Sequence, residues 1–338
     1  MGEDRGQGLT RPLFDRLAFQ STVVTPALFL APMAGVTHSA FRRLLGDFGG
    51  HGAVFTEMVS ASAFLKENAD LSPFTKRRPI EGPVVIQFRM SDEDRVEAVI
   101  EKAAALAPLA IDLNLGCPAP KIQQQASGAA LWRDFARLAS VLRRIRSVYG
   151  GPLSVKVRLG DPTEDWRTPF LERLKLFEDA GVDVLTVHPR FSDEKLKRRA
   201  RWELFPWIAD QTRLPVLGNG DVTRPEDVSG HTEAFAPLAG LMLGRAAAVR
   251  PWLFRAFAGL PPVAIDHAEV WDRLWGYTLE DFPPERALRR MQEFTVYFAQ
   301  NFTFGHQLYK AVQVARDVHD LRRIALAFLE AGPQLRRN

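Results

Sequence analysis

The chain carries a single cysteine, Cys117, in 338 residues. No intrachain disulfide can form, and a cysteine-rich zinc site is excluded. Its seven histidines are scattered, with no His-Glu-x-x-His spacing, so the pattern gives a metal site no support. No apolar run approaches the roughly 18 residues that a membrane helix needs. The opening residues, MGEDRGQGLTRPLFDRLAFQ, have neither the apolar stretch of a signal peptide nor a transit-peptide composition. These absences lead us to expect a soluble, cytoplasmic monomer without metal or membrane partner. Charge of one sign is also scarce: 44 Lys+Arg face 40 Asp+Glu, a net +4. So mild an excess permits a nucleic-acid partner without demanding one. With 46% hydrophobic and 25% charged residues, the composition excludes a mainly disordered or collagen-like chain.

What is present is a recurrence of short apolar runs, at 28–32, 53–57, 83–88, 109–114, 153–157, 183–187, 214–218 and 239–244. Each is rich in Val, Ile, Leu or Phe, as parallel strands buried on both faces should be. Helical segments lie between them. SDEDRVEAVIEKAAALA (91–107) predicts a helix opened by Ser91, and RDFARLASVLRRIRSVYG (133–150) predicts one closed on Gly150. Eight strand–helix units in about 230 residues predict an α/β fold, a closed (β/α)8 TIM barrel. A doubly wound open sheet is the rival, but it usually carries a Gly-rich fingerprint, and here the first turn reads APMAGVT.

Beyond residue 258 the strand pattern stops. Gly259-Leu260-Pro261-Pro262 reads as a hinge. Spacings of three and four then connect Ala287, Met291, Phe294, Phe298 and Phe302, and later Leu321, Ile324, Ala325, Phe328 and Leu329. They predict amphipathic helices in a small C-terminal bundle. The expected division is an extension at 1–26, a barrel at 27–258 and helices at 263–335. Residues 260–338 hold ten Lys+Arg and ten Asp+Glu. Any RNA binding there must come from clustering on one face, for which Arg286, Arg289, Arg290, Lys310, Arg316, Arg322 and Arg323 are the outward candidates.

In such a barrel the active site lies at the C-terminal ends of the strands. Read in order, those ends carry Pro32-Met33-Ala34-Gly35, then Glu57, then Gln87 and Arg89. Asp112 and Asn114 follow, leading into Gly116-Cys117-Pro118, then Lys156 with Arg158 and His188 with Arg190. The last two ends are Gly218-Asn219-Gly220-Asp221 and Gly244-Arg245. One such residue is ordinary loop polarity; a ring of them is not. Lys156 stands out, since a charge inside VKV needs a partner. The loops after strands 7 and 8 form the usual barrel phosphate site, where glycine admits backbone N–H groups to phosphate oxygens and Arg245 can add a two-pronged contact. A phosphorylated cofactor is therefore expected over the mouth, its ring system near Cys117, Lys156 and His188. A lone cysteine is ordinarily a small buried hydrophobe. Cys117 instead lies on a loop between Gly116 and Pro118. A free thiol, with a pKa near 8.5, keeps its proton at neutral pH and can act as a general acid, or as a nucleophile if that pKa is lowered.

LAPMAGVTHSAFRRL, FTEMVSA, LNLGCPAPKIQQQASGAAL, VKVRLG, VHPR, LGNGDV and LMLGRAA together form a pattern. In that order they resemble the motifs of the tRNA-dihydrouridine synthases, from about Leu28 to Phe254. NLGCP followed by K-x6-G-x-A-L is the specific part; the first turn and the GNGD/GR pair are shared with other FMN-dependent barrels. The resemblance implies that NADPH reduces a bound FMN, which passes hydride to C6 of a uracil in tRNA. Cys117 would protonate C5 from the opposite face. It further implies that Pro32, Met33 and Ala34 line the flavin, that Gln87 and Lys156 bond its ring, and that His188 lies beside it. Asn219, Gly220, Asp221, Gly244 and Arg245 would hold the phosphate, while Asn114 and Arg190 would face the uracil or RNA backbone. The helical tail would be the family's RNA-binding part.

Some positions depart from that pattern. Gln87 is followed by Phe88-Arg89-Met90, where glycine is frequent in the family, and Thr37 by His38, where aspartate is common. FSDEKLKRRARWELF is unusually basic, with Lys195, Lys197, Arg198, Arg199 and Arg201 within seven residues. It reads either as a solvated helix face or, through Lys197 and Arg199, as a contact to substrate phosphates. Tyr309 and Trp252 are candidate base-stacking groups, although core packing suits them better. Two rival functions remain: another FMN barrel oxidoreductase acting on a small pyrimidine, and a flavin-free RNA-binding barrel.

Overall fold

A computed structural model describes residues 14–194 and 196–336. Eight parallel strands close into a barrel: β1 (Leu28–Leu30), β2 (Ala53–Phe55), β3 (Val84–Arg89), β4 (Ala110–Asn114), β5 (Leu153–Arg158), β6 (Val184–His188), β7 (Val216–Asn219) and β8 (Gly240–Leu243). Each pairs with the next, and β8 pairs with β1 to close the ring. The eight apolar runs in the sequence are these eight strands. Almost every strand residue is buried, because side chains fill the barrel on one face and meet helices on the other. The outer layer contains α1 (Ser39–Phe48), α2 (Val96–Ala104), α3 (Phe135–Val148), α4 (Arg167–Asp179), α5 (Phe205–Asp210) and α6 (Arg245–Val249).

Local chemistry sets the helix ends. The Asp134 side chain accepts the Arg137 N–H at 3.1 Å and so opens α3. In contrast, α2 begins at Val96 and not after Ser91. The Ser91 N–H and hydroxyl both donate to Asp94, at 2.8 and 3.2 Å, so this serine builds a turn and caps nothing. Before the barrel, Leu17–Phe19 and Thr22–Val24 form an antiparallel hairpin. Phe14, Leu17, Phe19 and Val24 are buried, and the Phe19 ring lies 5.9 Å from Phe29 in β1. Gln20, Ser21 and Thr22 lie beside Pro83, Pro108 and Pro152, close to the starts of β3, β4 and β5, so the hairpin covers the N-terminal end of the barrel. The expected extension at 1–26 thus includes a structural cover, while residues 1–13 lie outside the described chain.

The tail consists of α7 (His267–Asp281), α8 (Pro284–Phe298), α9 (Gly305–Gln313) and α10 (Val318–Glu330). Asp266 and Asp317 cap α7 and α10, each accepting two backbone N–H groups. The apolar stripe read from the sequence is the buried face of α8. That face joins the barrel's core directly: Phe294 lies 6.0 Å from Phe41 of α1. Ion pairs from Arg78 to Asp281 and from Arg43 to Glu280, each 2.6 Å, reinforce the contact. Residues 259–262, read from the sequence as a hinge, are bonded back to the helix before them. The Leu260 N–H donates to the Arg255 carbonyl at 2.9 Å, and the Arg255 guanidinium returns to the Pro261 carbonyl at 2.8 Å.

The outward cations sort into two groups. Arg322 is paired with Asp272, Arg316 and Arg323 share Asp320, and Arg290 is half-buried. Arg286, Arg289 and Lys310 are exposed and have no ion pair among the described residues. Trp252 is wedged among Phe48, His267 and Phe298, and Tyr309 packs on the same core, so core packing accounts for both. Among the described residues no helix is long and apolar enough to cross a membrane.

Candidate active site

On one side of the mouth a line of buried amides leads to the thiol. Gln87 and Asp112 are in register on β3 and β4, as are Asn114 and Lys156 on β4 and β5. Gln87 Nε2 donates to Asp112 Oδ2 at 2.7 Å, and Ser154 Oγ donates to Asp112 Oδ1 at 2.6 Å. Asn114 Nδ2 donates to Gln87 Oε1 at 2.9 Å, and Asn114 Oδ1 accepts the Cys117 N–H at 3.1 Å. Burial pushes the Asp112 carboxyl up to about 6, against the donations from Ser154 and Gln87 and the field of Lys156. Gln87 and Asn114, read from the sequence as ring and base ligands, thus direct amide groups to one another and to the Cys117 loop.

Two glycines shape that loop. A Cβ on Gly116 would come 3.2 Å from both Arg158 Cγ and the Val157 carbonyl carbon, so a side chain here would crowd β5 and require it to give by a few tenths of an ångström. Gly128 takes φ +62, and a Cβ there would sit 2.9 Å from the Cys117 carbonyl oxygen. The Ala129 N–H donates to that oxygen at 3.1 Å. The G-x-A-L half of the motif is therefore a backbone brace for the NLGCP half. Cys117 itself is a free, half-buried thiol. Beside it, Lys156 is half-buried and makes no hydrogen bond or ion pair among the described residues. Burial, with Arg158 adding to it, lowers its pKa to about 8; Asp112 and the Cys117 sulfur oppose the shift.

The other side of the mouth is dense in charge. His188 is buried, and its Nε2 lies 2.7 Å from Arg190 Nη1. A guanidinium can only donate, so this ring nitrogen accepts and the proton resides on Nδ1. Burial, and then the charges of Lys156, Arg158, Arg190 and Arg245, hold the imidazole neutral, well below its usual pKa. Arg190 is buried as well, bonded to the Arg198 carbonyl at 2.7 Å and ion-paired with Asp221. Its Nε and both Nη atoms each already bond inside the chain, to the Arg198 carbonyl, His188 and Asp221, and the side chain is buried, which does not favour the uracil or RNA-backbone contact that the resemblance implies. Asp221, at φ +57, also accepts the Ala200 N–H and an Arg245 Nη2 donation, both at 2.8 Å. A carboxylate so placed aims Arg245, and its own charge would repel a phosphate.

Backbone N–H groups lie open beside them. Gly220 has φ +122, and a Cβ there would lie 2.8 Å from His188 Cδ2 and 2.9 Å from Ala200 Cβ. The N–H groups of Gly220 and Gly244 have no backbone acceptor among the described residues. Asn219 Nδ2 donates to the Met242 carbonyl at 2.8 Å, holding β7 against β8 beneath them. Arg245 is exposed above them. Lys197 and Arg199 are exposed too, in a run of turns and not on a helix face, and Lys195 lies outside the described residues. The neighbouring Arg198 carbonyl and Ala200 N–H are the groups tied to Arg190 and Asp221, so the basic segment is fastened to this side.

Pro32, Met33 and Ala34 form an accessible turn at the end of β1. Thr37 Oγ1 accepts the Met33 N–H at 3.0 Å, and Glu57 Oε2 accepts the Gly35 N–H at 2.9 Å. The two departures from the family pattern are absorbed quietly. Phe88 and Arg89 continue β3, paired with Val59 and Ser60. His38 is buried against Phe282, with its pKa lowered to about 3 by burial and by Arg290 and Arg42. One participant had no local signal: Arg290 of α8, expected to face outward, approaches Glu57 at 3.9 Å. Among the described residues no group of three or more His, Cys, Asp or Glu could hold a metal.

A family model for dihydrouridine synthases matches residues 29–324. The tRNA-dihydrouridine synthase B of Pseudomonas putida is 35% identical over 231 residues, a match covering 68% of this chain and 66% of that protein. The match thus spans about two thirds of that relative's length. The tRNA-dihydrouridine(16) synthase of Neisseria meningitidis is 30% identical over 319 residues, covering 89% of this chain and 94% of that one. Among solved structures, the old yellow enzyme homologue of Zymomonas mobilis aligns with a TM-score of 0.54 at 12% identity, over 77% of this chain and 96% of that chain. At such low identity the last likeness speaks for the barrel alone. The family model covers most of the chain and both relatives carry that family's name: the chain belongs to the dihydrouridine synthase family.

Proposed function

We propose that the protein reduces uridine in tRNA to 5,6-dihydrouridine, using bound FMN and NADPH as reductant. The observation that carries this reading is the placement of the sole thiol. Asn114 holds the Cys117 backbone at the mouth beside a free lysine, with an anion cradle across the same opening. The residues fit FMN: Gly220 and Gly244 leave room and N–H groups for its phosphate, and Arg245 adds a guanidinium aimed by Asp221. Asn219 and Asp221 serve that cradle from behind. Pro32, Met33 and Ala34 would line the ring system, with His188 as a neutral neighbour. When bound, FMN supplies the two-electron chemistry that links NADPH to C6 of the base.

The chain's own part is protonation and orientation. Cys117 gives its thiol proton to C5, which leaves a thiolate next to the Lys156 ammonium, a cation with no hydrogen bond or ion pair among the described residues. Lys156 also offsets negative charge that builds on the ring. Gln87 and Asn114 position the thiol loop through the amide line. The uridine must leave its stack to reach the mouth. Residues 263–335 would hold the RNA through Arg286, Arg289 and Lys310, and Lys197 and Arg199 would meet its phosphates. Mapping dihydrouridine in total RNA from cells with and without the protein tests this reading. Loss of the modification at defined tRNA positions is expected. An unchanged map, or turnover of free pyrimidines in place of tRNA, would overturn it.

A further inference from the structure

Glu57, at the end of β2, is buried, and its two oxygens are treated unequally. Oε2 accepts the Gly35 N–H, while Oε1 is shut off from solvent with no hydrogen-bond partner among the described residues. A buried acceptor left unmade costs about 1–3 kcal/mol, more when charged. The cation facing it comes from the tail: Arg290 Nη1 lies 3.9 Å from Oε1. The Arg290 guanidinium rests against the rings of Phe74 and Phe282, at 5.6 and 5.5 Å, and touches Glu293 at 3.2 Å. Gly35, at φ +82, lies directly beneath. A Cβ there would overlap the Glu293 carboxylate and come 3.2 Å from Arg290 Nη1. The turn after β1, the end of β2 and the helix α8 thus converge on one point.

We infer that Glu57 and Arg290 form a positioning pair for the cofactor. Arg290 steadies Glu57, and Glu57, through the Gly35 N–H, fixes the Pro32–Ala34 turn. The inference rests on the reading that this turn lines FMN. It ties the helical tail to the cofactor site through Arg290.

The test is FMN affinity, measured by flavin fluorescence on the full-length apoprotein. The proteins compared are the wild type, Glu57→Gln, Arg290→Met, the double variant, Arg290→Lys and, as an exposed control on α8, Glu285→Gln. Each of the first two substitutions should weaken FMN binding by about tenfold. The double variant should bind within about twofold of the weaker single, as expected for residues that act as a unit. Arg290→Lys should recover much of the loss, and Glu285→Gln should match wild type. Melting temperatures are recorded in parallel. Singles that bind FMN like wild type overturn the inference, whatever their stability, as do losses that multiply in the double variant. A wild-type protein that binds no FMN would instead overturn the cofactor reading itself.

Discussion

The two sides of the barrel mouth treat polarity in opposite ways. Along β3, β4 and β5 the Gln87 and Asn114 amides, the Asp112 carboxyl and the Ser154 hydroxyl bond to one another, and the Cys117 thiol and the Lys156 ammonium are left without a hydrogen bond or ion pair from their side chains among the described residues. Along β6, β7 and β8 charges crowd together and are partly offset: Asp221 stands between Arg190 and Arg245, and His188 is kept neutral by burial and then by its cationic neighbours. On the proposed reading one fold separates two tasks: the side that would move a proton leaves its thiol and ammonium without competing partners, and the side that would receive an anion leaves backbone N–H groups and one exposed guanidinium to meet it.

The sharpest way to break this contrast is Cys117→Ala. It should reduce dihydrouridine formation by about 10²–10⁴, the usual weight of a general acid, and leave FMN content and NADPH oxidation intact. Retained product would remove the thiol side from the chemistry. Lys156→Met comes next, with an expected loss of about 10²–10³ in turnover with tRNA. A pH profile sharpens this. With the Lys156 pKa lowered to about 8 by burial, the ammonium is present below that value and lost above it. Turnover should therefore decline above about pH 8 in wild type, and Lys156→Arg, whose charge persists, should shift or abolish that decline. Linkage gives the opposite slope for stability. Between about 8 and 10.4 the unfolded chain holds a proton the folded one lacks, so this residue makes the fold more stable as pH rises through that window. Denaturant midpoints across the window check the sign.

On the other side the effects should be smaller and confined to binding. Gly220→Ala drives a methyl toward His188 and Ala200 at a positive φ, a strain of about 1–3 kcal/mol. FMN affinity should fall about tenfold, with the reactivity of the Cys117 thiol toward an alkylating reagent unchanged. Equal loss on both sides would show that the division is not real. Smallest is the Lys197→Glu, Arg199→Glu double substitution. It should weaken tRNA binding and flatten the salt dependence by about one unit of slope per lost phosphate contact. Identical salt slopes would take the basic segment out of the RNA interface.

Much of this was legible in the sequence. Strands buried on both faces write themselves as unbroken apolar runs, so all eight could be placed, and their polar ends then marked the mouth. The α8 stripe likewise showed its buried face through Met291, Phe294 and Phe298. What periodicity does not encode is pairing between distant residues. Arg190 and Asp221 are 31 positions apart, and nothing near either announces that they neutralise each other. Glu57 and Arg290 are farther apart still, and a helical stripe that names the apolar face says little about a cation at its border. The start of α2 failed for a local reason: Ser91 had a nearer carboxylate in Asp94 than any helix end to serve.

Beneath the mouth, the hairpin Leu17–Val24 seals the floor, with Phe19 wedged against Phe29 and the interior filled by side chains. Nothing can be threaded through such a body. On the proposed reading, nicotinamide and nucleobase must use the same doorway, and each has to leave before the other is admitted. Such an enzyme works as a shuttle with alternating visitors, and its steady-state kinetics should be those of a double displacement, with parallel reciprocal lines.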